Sequence, residues 1–368
     1  MPRVTIVQVV YNNKRFMEAV FSAIYRQTFK NFNVVAVISG NDDSGKEYLQ
    51  EHFPQVEIID PGYNIGFAAG HNLVFEKYGT PAPSPRSDEA SANLGEERGG
   101  GEVADFFQLV NPDLVLEPDY IEKMLQVFED PKVGAATGKL YQIDRDQIDR
   151  DKIFNNWPHV KGSASGRSKI LDSTGVIISK SGRARDRGQH EVDNGQYDNQ
   201  IVVDGVSGAG PMYRASALKA IKISHYNAIS YHSEYFDEDF HSYWEDVDLS
   251  WRMKTSGWKN VFVPGAIGYH GRGSASSPGG YIHVIDFIKH HKNLSPRVRQ
   301  LNYQNHIFMY IKNSDLFYPQ FFVREFFMLG YIVLFEISTL KVVPNIIKLL
   351  PKMWKKRKMI KEKVVPIS

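Results

Sequence analysis

The chain of 368 residues contains no cysteine. That excludes a disulfide framework and thiol catalysis, and it fits a reducing compartment. Net charge is nearly absent too: Lys+Arg 44 against Asp+Glu 42 gives +2, so the overall balance does not ask for nucleic acid as a partner. Long apolar runs are missing. The longest in the tail, Phe326 to Phe335, falls far below the ~20 residues of a membrane-spanning helix and is bracketed by charges. Met1-Pro2-Arg3-Val4-Thr5 leads almost directly into a β-branched stretch with no charged and apolar leader, so no signal peptide is expected.

What is present suffices for a sizeable core. With 42% hydrophobic residues the chain can hold one large α/β domain and an appendage, and two domains are the expectation. Val4 to Tyr11 is short, apolar and β-branched, as a buried parallel strand is, and it ends at Asn12-Asn13 where a loop must begin. Phe16, Val20, Ala23, Ile24 and Gln27 follow at helical spacing, and Asn33 to Ile38 reads as the next strand, which implies a right-handed crossover. In such sheets ligands sit beyond the carboxyl ends of the strands. Tyr11, Asn12 and Asn13 should therefore share a crevice with Ser39-Gly40-Asn41-Asp42-Asp43, plain turn chemistry being the competing reading. Val56 to Ile59 is a third strand. After it, the glycines of Asn64-Ile65-Gly66-Phe67-Ala68-Ala69-Gly70-His71-Asn72 allow close backbone approach, and Leu73, Val74 and Tyr78 continue a helix whose first amides could face a diphosphate. A Gly-rich turn packing Phe67 is the alternative. From Gly79 to about Ala104 the composition changes to Pro, Gly and charge, a disordered insertion to which no chemistry is assigned.

Two acidic stretches stand out. Asn111-Pro112-Asp113 ends one apolar run and precedes another, Leu114 to Leu116, where a carboxylate is well placed to hold a cation. Tyr243 to Met253 sets Glu245, Asp246 and Asp248 between Trp244 and Trp251 and then turns helical, with Asp248 positioned to pair with Arg252 four residues on. Capping and dipole compensation are the competing role for these acids. Between the two stretches, Pro118 to Phe128 reads as a helix and Val133 to Lys139 as a strand. Residues 142–200 read as a polar surface excursion with a hairpin from Ile170 to Arg187, and Ile201 to Gly210 as a strand running into small residues that leave room for a ligand. Gly257 to Pro264 is the final strand, followed by a loop, Ile267 to Gly273, that carries His270.

Taken in order, the N-x-G-F-A-x-G-x-N segment, N-P-D, the G-A-G of Gly208 to Gly210 and the E-D-V-D-L segment resemble the inverting glycosyltransferases of family 2, and within them the bacterial rhamnosyltransferase-like enzymes. The resemblance covers roughly residues 3–275 outside the insertion. It implies a GT-A fold over residues 1–280, α/β and Rossmann-like with a mostly parallel sheet and flanking helices; the composition of residues 281–368 separately reads as a helical, membrane-interfacial region. It further implies a nucleotide-sugar donor at Tyr11, Asn12, Asn41, Asp43, Asn64, Gly66, Phe67, Gly70, Asn72, Asn111, Gly208 and Ala209. A divalent cation, Mg²⁺ or Mn²⁺, is expected on Asp113 and His270, with Asp246 as the base and Glu245 orienting the acceptor or tuning the pKa of Asp246. Relatives usually place an Asp after the second strand to read the nucleobase. Here Ser39-Gly40 stands there, so that contact falls to Asn41 or Asp43. The usual two-aspartate metal motif is reduced to Asn111-Pro112-Asp113, a reduction common in the rhamnosyltransferase-like branch that favours dTDP-rhamnose over a UDP-sugar.

The tail from Ile282 is aromatic and basic, with Trp354-Lys355-Lys356-Arg357-Lys358 near its end. It reads as one or two interfacial helices with a polybasic end. That places the enzyme in the cytoplasm, peripheral on the inner face of the cell membrane, with a glycan or lipid-linked glycan acceptor of cell-wall or O-antigen synthesis. The alternative is helices packed on the catalytic domain or on a second subunit of a homo-oligomer. A processive polysaccharide synthase would carry a Q-x-x-R-W element and transmembrane helices, which this sequence lacks. Asp113, Asp246 and His270, all intact, argue against a degenerate scaffold in a membrane assembly complex.

Overall fold

The computed structural model describes residues 1–40, 43–79, 103–143, 145, 148, 169–226, 231–271, 291–315 and 318–363, so the proposed insertion lies almost wholly outside the described residues. The first half alternates β1 (Val4–Val10), α1 (Lys14–Tyr25), β2 (Phe32–Ile38), α2 (Asp43–His52), β3 (Glu57–Ile59) and α3 (Gly66–Gly79). β1 and β2 pair in parallel from Val4 opposite Phe32 to Val10 opposite Ile38. Because successive strand residues point to opposite faces, Val4, Ile6, Val34 and Ala36 pack with Phe16, Val20 and Ile24 of α1, whereas Val7, Val35 and Val37 pack with Val74 and Phe75 of α3.

The body continues through β4 (Phe106–Leu109), β5 (Leu114–Leu116), α4 (Tyr120–Gln126), β6 (Val133–Gln142), β7 (Leu171–Ser173), β8 (Val176–Ile178), β9 (Ala184–Asp186), β10 (Val202–Val203) and β11 (Met212–Arg214). It closes with α5 (Ala215–Ile221), β12 (Ile223–Tyr226), β13 (Tyr231–Glu234), α6 (Glu245–Thr255) and β14 (Lys259–His270). The main sheet runs β10-β14-β6-β11-β4-β1-β2-β3, with β5 added to β14 and β7 to β6. β3, β2, β1 and β4 are parallel, as are β6 and β14, while β11 runs antiparallel between β4 and β6. This is the mixed α/β architecture with a mostly parallel sheet that the sequence leads one to expect.

Two features differ from the sequence reading. β14 does not stop at Pro264 but continues to His270, so the expected loop from Ile267 is strand up to that histidine; the pairing with β6 shifts register between Val263 and Ile267, which accommodates a proline that has no N–H to give. Opposite the shift, a Cβ on Gly138 would lie 2.4 Å from the Ala266 carbonyl oxygen, so only glycine allows the two strands this approach. The second difference is in the tail, which forms α7 (Pro296–Asn313), α8 (Pro319–Phe335) and α9 (Val343–Glu362). Phe308 and Met309 of α7 and Ile346 and Met353 of α9 share a core with Phe240 and with Val247 of α6. Lys356 of the basic run is fully buried, its Nζ 2.7 Å from Glu234, 2.5 Å from Asp237 and 2.7 Å from Asp239. Lys312 is buried between Asp237 and Asp248, 2.8 Å from the latter. Burial disfavours ionised Asp237, but the two ammonium groups outweigh it and hold its pKa far below the carboxylate range. α7 and α9 are therefore packed on the α/β body, and part of the basic run is spent on internal ion pairs.

Removing one partner from such a cluster strands buried charge. Lys356→Ala should lower the unfolding free energy by about 3–5 kcal/mol in urea titrations. Lys352→Ala, which breaks only a half-exposed pair with Asp239, should cost under about 1 kcal/mol. Equal small losses would show that α9 is not held by the buried cluster.

Candidate functional site

A cleft of about 850 Å³ opens where β1, β2, β4 and β14 end. This is the carboxyl edge of the parallel strands, where open α/β sheets bind ligands. One wall is built by the turn into α3. Gly66, at φ +81°, donates its N–H to Ser39 Oγ (3.1 Å) and to Asn64 Oδ1 (3.0 Å), and Ser39 Oγ donates to the same Asn64 oxygen (3.0 Å). Ser39 thus fastens this turn. A Cβ on Gly66 would lie 2.9 Å from His241 Nδ1, so glycine is needed both for the backbone angle and for contact with the loop before α6.

Asp113 and His270 meet at one end of the cleft. His270, the last residue of β14, lies with Nε2 3.3 Å from Asp113 Oδ1 and Nδ1 2.9 Å from Asp172 Oδ2. Burial alone would favour neutral imidazole, but hydrogen bonds and charge from the two carboxylates outweigh it and bring its pKa up to about 9. Burial likewise opposes ionised Asp113, yet His270 and Arg145 hold its pKa below the usual range. Arg145 donates from Nε (2.9 Å) and Nη2 (2.5 Å) to Asp113 Oδ2, and from Nε to the Gly271 carbonyl (2.6 Å). A guanidinium lying on this carboxylate shows that the position suits positive charge. Among the described residues no group of three or more His, Asp or Glu side chains forms a ready cation cage. A cation that displaces the Nε2 proton of His270 and the Arg145 guanidinium would find one carboxylate oxygen and one imidazole nitrogen here, and would draw its remaining ligands from phosphate oxygens and water, as Mg²⁺ and Mn²⁺ do.

The acids lie at the other end, on a strained turn. His241 (φ +60°, ψ −56°) is the centre of a γ-turn closed by Ser242 N–H on the Phe240 carbonyl at 2.6 Å, and Tyr243 and Trp244 follow at φ +72° and +74°. Non-glycine residues held there cost on the order of 1–3 kcal/mol each, and such strain gathers at functional sites. The turn delivers Glu245 and Asp246 to the first turn of α6, facing the cleft. Asp246 accepts the Gly208 N–H on Oδ2 and the Val247 N–H on Oδ1, both at 2.8 Å. A Cβ on Gly208 would lie 2.9 Å from that carboxylate, so the small residues expected to make room for a ligand also let the backbone reach Asp246. Glu245 is buried, and its Oε2 has no hydrogen-bond partner. Burial first, then the charges of Asp246 and Asp248, push its pKa up to about 8. Tyr213 is buried nearby, its hydroxyl also without a partner and its pKa raised by burial and by both acids.

The cleft brings together Tyr11, Asn64, Gly66, Phe67, Asn111, Asp113, Gly208, Ala209, Glu245, Asp246 and His270 of the residues expected from sequence. Asn12 does not line it. Gly70 and Asn72 serve packing instead. A Cβ on Gly70 would lie 2.9 Å from Val9, and Asn72 holds the backbone of Tyr235 and Phe236 through Oδ1 and that of Phe236 and the Glu238 side chain through Nδ2. Asn41 lies outside the described residues, and Asp43 opens α2. The expected Asp248–Arg252 pair forms at 3.0 Å, fully buried. Sequence reasoning missed Arg145 and Asp172, which sit in the polar excursion with no pattern to mark them, and Arg297, Leu301 and Asn302 of α7, which line the cleft from the tail.

A family profile described as "Glycosyltransferase like family 2" matches residues 2–284. The chain is similar to the N-acetylglucosaminyl-diphospho-decaprenol L-rhamnosyltransferase of Mycobacterium tuberculosis, 22% identical over 292 residues that make up 78% of this chain and 81% of the relative. It is 23% identical to an uncharacterized glycosyltransferase of Haemophilus influenzae over 145 residues, 39% of this chain and 38% of that one. Among solved structures, the mannosyltransferase PcManGT of Pyrobaculum calidifontis, in complex with GDP-Man and Mn²⁺, matches with a TM-score of 0.48 and 13% identity over 99% of this chain and 86% of that chain. With more than half of its length matched by the family profile, the chain belongs to the glycosyltransferase-like family 2 and is a glycosyltransferase.

Proposed function

We propose that the protein transfers a sugar, with inversion, from a nucleotide sugar to a hydroxyl of a glycan or lipid-linked glycan at the inner face of the cell membrane. Rhamnose from dTDP-rhamnose is the favoured donor, ahead of a UDP-sugar. The observation that carries this reading is the division of one cleft into an end suited to positive charge, Asp113, His270 and Arg145, and an acidic end, Glu245 and Asp246. The similarity to the mycobacterial N-acetylglucosaminyl-diphospho-decaprenol L-rhamnosyltransferase supports both the rhamnosyl donor and a diphospho-lipid acceptor.

In this reading Arg145 and the Asp113–His270 pair face the leaving diphosphate. A divalent cation held by Asp113 and His270 would supply further neutralisation of that group. Asp172, hydrogen-bonded to the far nitrogen of His270, fixes the ring. At the acidic end the Gly208 and Val247 amides hold both oxygens of Asp246, and this carboxylate takes the proton of the acceptor hydroxyl as it attacks the anomeric carbon and the diphosphate leaves. Glu245, neutral near pH 7, orients that hydroxyl without competing for its proton. α8 attaches the enzyme to the membrane. Phe326, Phe327 and Leu334 are 74%, 69% and 75% exposed, and no single helix among the described residues is long and apolar enough to cross a bilayer. An apolar helix face of this kind lies in the interface plane.

Three measurements test the reading. Calorimetry with dTDP or UDP should lose its signal in EDTA and weaken with Asp113→Ala; unchanged affinity in both would refute the cation site. Asp246→Asn should lower turnover about 10²–10⁴-fold with nucleotide affinity nearly intact, and Glu245→Gln, which copies the neutral carboxyl, should be milder. The reverse order of effects would move the base to Glu245, and a product that retains the donor's anomeric configuration would overturn the single displacement. In flotation assays the full chain should rise with anionic liposomes and the double variant Phe326→Asp/Phe327→Asp should not. Equal behaviour of the two would make α8 a packing surface.

A further inference from the structure

Asn305 lies fully buried on α7, in the tail that the sequence sets apart from the catalytic motifs. Its Nδ2 donates to the carbonyl oxygens of Phe240 (3.0 Å), Ser242 (2.9 Å) and Tyr243 (2.9 Å). These carbonyls belong to the γ-turn at His241 and the left-handed residues after it, which lead directly into Glu245 and Asp246. One amide at the centre of the arc gathers carbonyls that such a backbone leaves without helix or sheet partners. The same helix holds the ends of the segment as well. Asn302 Oδ1 accepts the Trp244 indole N–H at 3.0 Å, His306 meets the Trp244 ring edge-on at 5.2 Å, and Lys312 and Asn313 reach Asp248 at 2.8 and 2.6 Å. Residues 302, 305, 309 and 312 recur at spacings of three and four, so one stripe of α7 runs along the turn and the first turn of α6.

From this geometry we propose that Asn305 is a positioning residue for sugar transfer: its amide holds the strained 240–244 turn in the one conformation that presents the Glu245 and Asp246 carboxyl groups to the cleft. The proposal rests on the reading of Asp246 as the base. Asn305 touches neither ligand end of the cleft and acts only through the turn. Without its amide the turn has alternatives with negative φ at His241, Tyr243 and Trp244, and each would swing the following acids away from Gly208. The donor end, on other strands, is left as it was.

The experiment compares full-length wild type, Asn305→Ala, Asn305→Asp (which keeps the shape and removes the donor), Asp246→Asn and Asn345→Ala. Asn345 donates to Gln304 at 2.6 Å, and Gln304 donates to Asn305 Oδ1 at 3.3 Å, so replacing Asn345 removes a hydrogen bond between α9 and α7 behind Asn305 while leaving the three bonds from the Asn305 amide to the turn in place. Calorimetry with dTDP gives affinity and the fraction of sites present, and turnover of dTDP-rhamnose on a lipid-linked acceptor gives kcat. Both Asn305 variants should lose about 10–100-fold in kcat per dTDP site at unchanged dTDP affinity, with Asn345→Ala near wild type. Normal kcat in the Asn305 variants, an equal loss in Asn345→Ala, or a loss matched by missing dTDP sites would each overturn the proposal and leave Asn305 a packing residue. Near-normal transfer by Asp246→Asn would instead remove the base assignment on which it rests, while a dead Asp246→Asn beside a normal Asn305→Ala would sink the positioning role alone.

Discussion

Asp248 lies fully buried in the first turn of α6, and its surroundings are arranged so that this carboxylate always has a counter-charge. Arg252 reaches it from the same helix at 3.0 Å, Lys312 at 2.8 Å and Asn313 at 2.6 Å from α7. An ionised carboxyl without those partners would cost several kcal/mol in such a place. Arg252 passes the constraint on, donating to the carbonyls of Ile221 and Tyr235, and Lys312 shares its charge with Asp237, which also holds Lys356 of α9. The orientation of α6, and with it of Glu245 and Asp246 at its start, is therefore fixed jointly by the α/β body and the helices that follow it in sequence.

The same cleft gives two neighbouring acids different surroundings. Asp246 receives two backbone amides, and hydrogen bonds of that kind favour the ionised form. Glu245, one residue earlier, is buried with one oxygen unpartnered beside that charge, and it is driven towards the neutral form. In the proposed mechanism a pair of carboxyl groups pushed apart in this way divides the work, one taking a proton and the other donating or accepting a hydrogen bond. At the opposite end Asp172 and Asp113 hold His270 between them, two carboxylates to one imidazolium, so that end keeps a place for the further positive charge that Arg145 supplies.

How far this was legible in the sequence depended on whether the signal was local. β1, β2 and β4 are β-branched or apolar runs with abrupt polar ends, and their ends did mark the cleft: Tyr11, Ser39 and Asn111 to Asp113 all line it. The Asp248–Arg252 pair followed from helical spacing alone. Periodicity gave no hold on β11, a three-residue strand inserted antiparallel between β4 and β6, because its partners lie far away in the chain. Glycines and asparagines misled for a related reason. Gly66 and Gly70 look alike in sequence, yet one bends a turn into the cleft and the other lets α3 sit on β1, and Asn72 turned out to fasten a distant backbone segment. Asp172, Arg145 and Asn305 have no motif at all; only the fold brings them to the residues they serve.

The basic, aromatic tail divides between helices that pack on the body and one whose apolar face stays in the open. Lys356 is consumed by Glu234, Asp237 and Asp239, and Arg357 donates to the Ile311 carbonyl, so part of the polybasic run is turned inward while Lys355 and Lys358 stay exposed. α8 is turned the other way, with aromatic and aliphatic side chains left in the open and only Phe321 and Ile332 buried. In the proposed attachment the balance accordingly shifts from electrostatic attraction, about 1 kcal/mol per lysine or arginine near an anionic surface, to insertion of apolar area at about 25 cal/mol per Å². Charge that a sequence alone would assign to lipid instead locks α9 to the body next to α6.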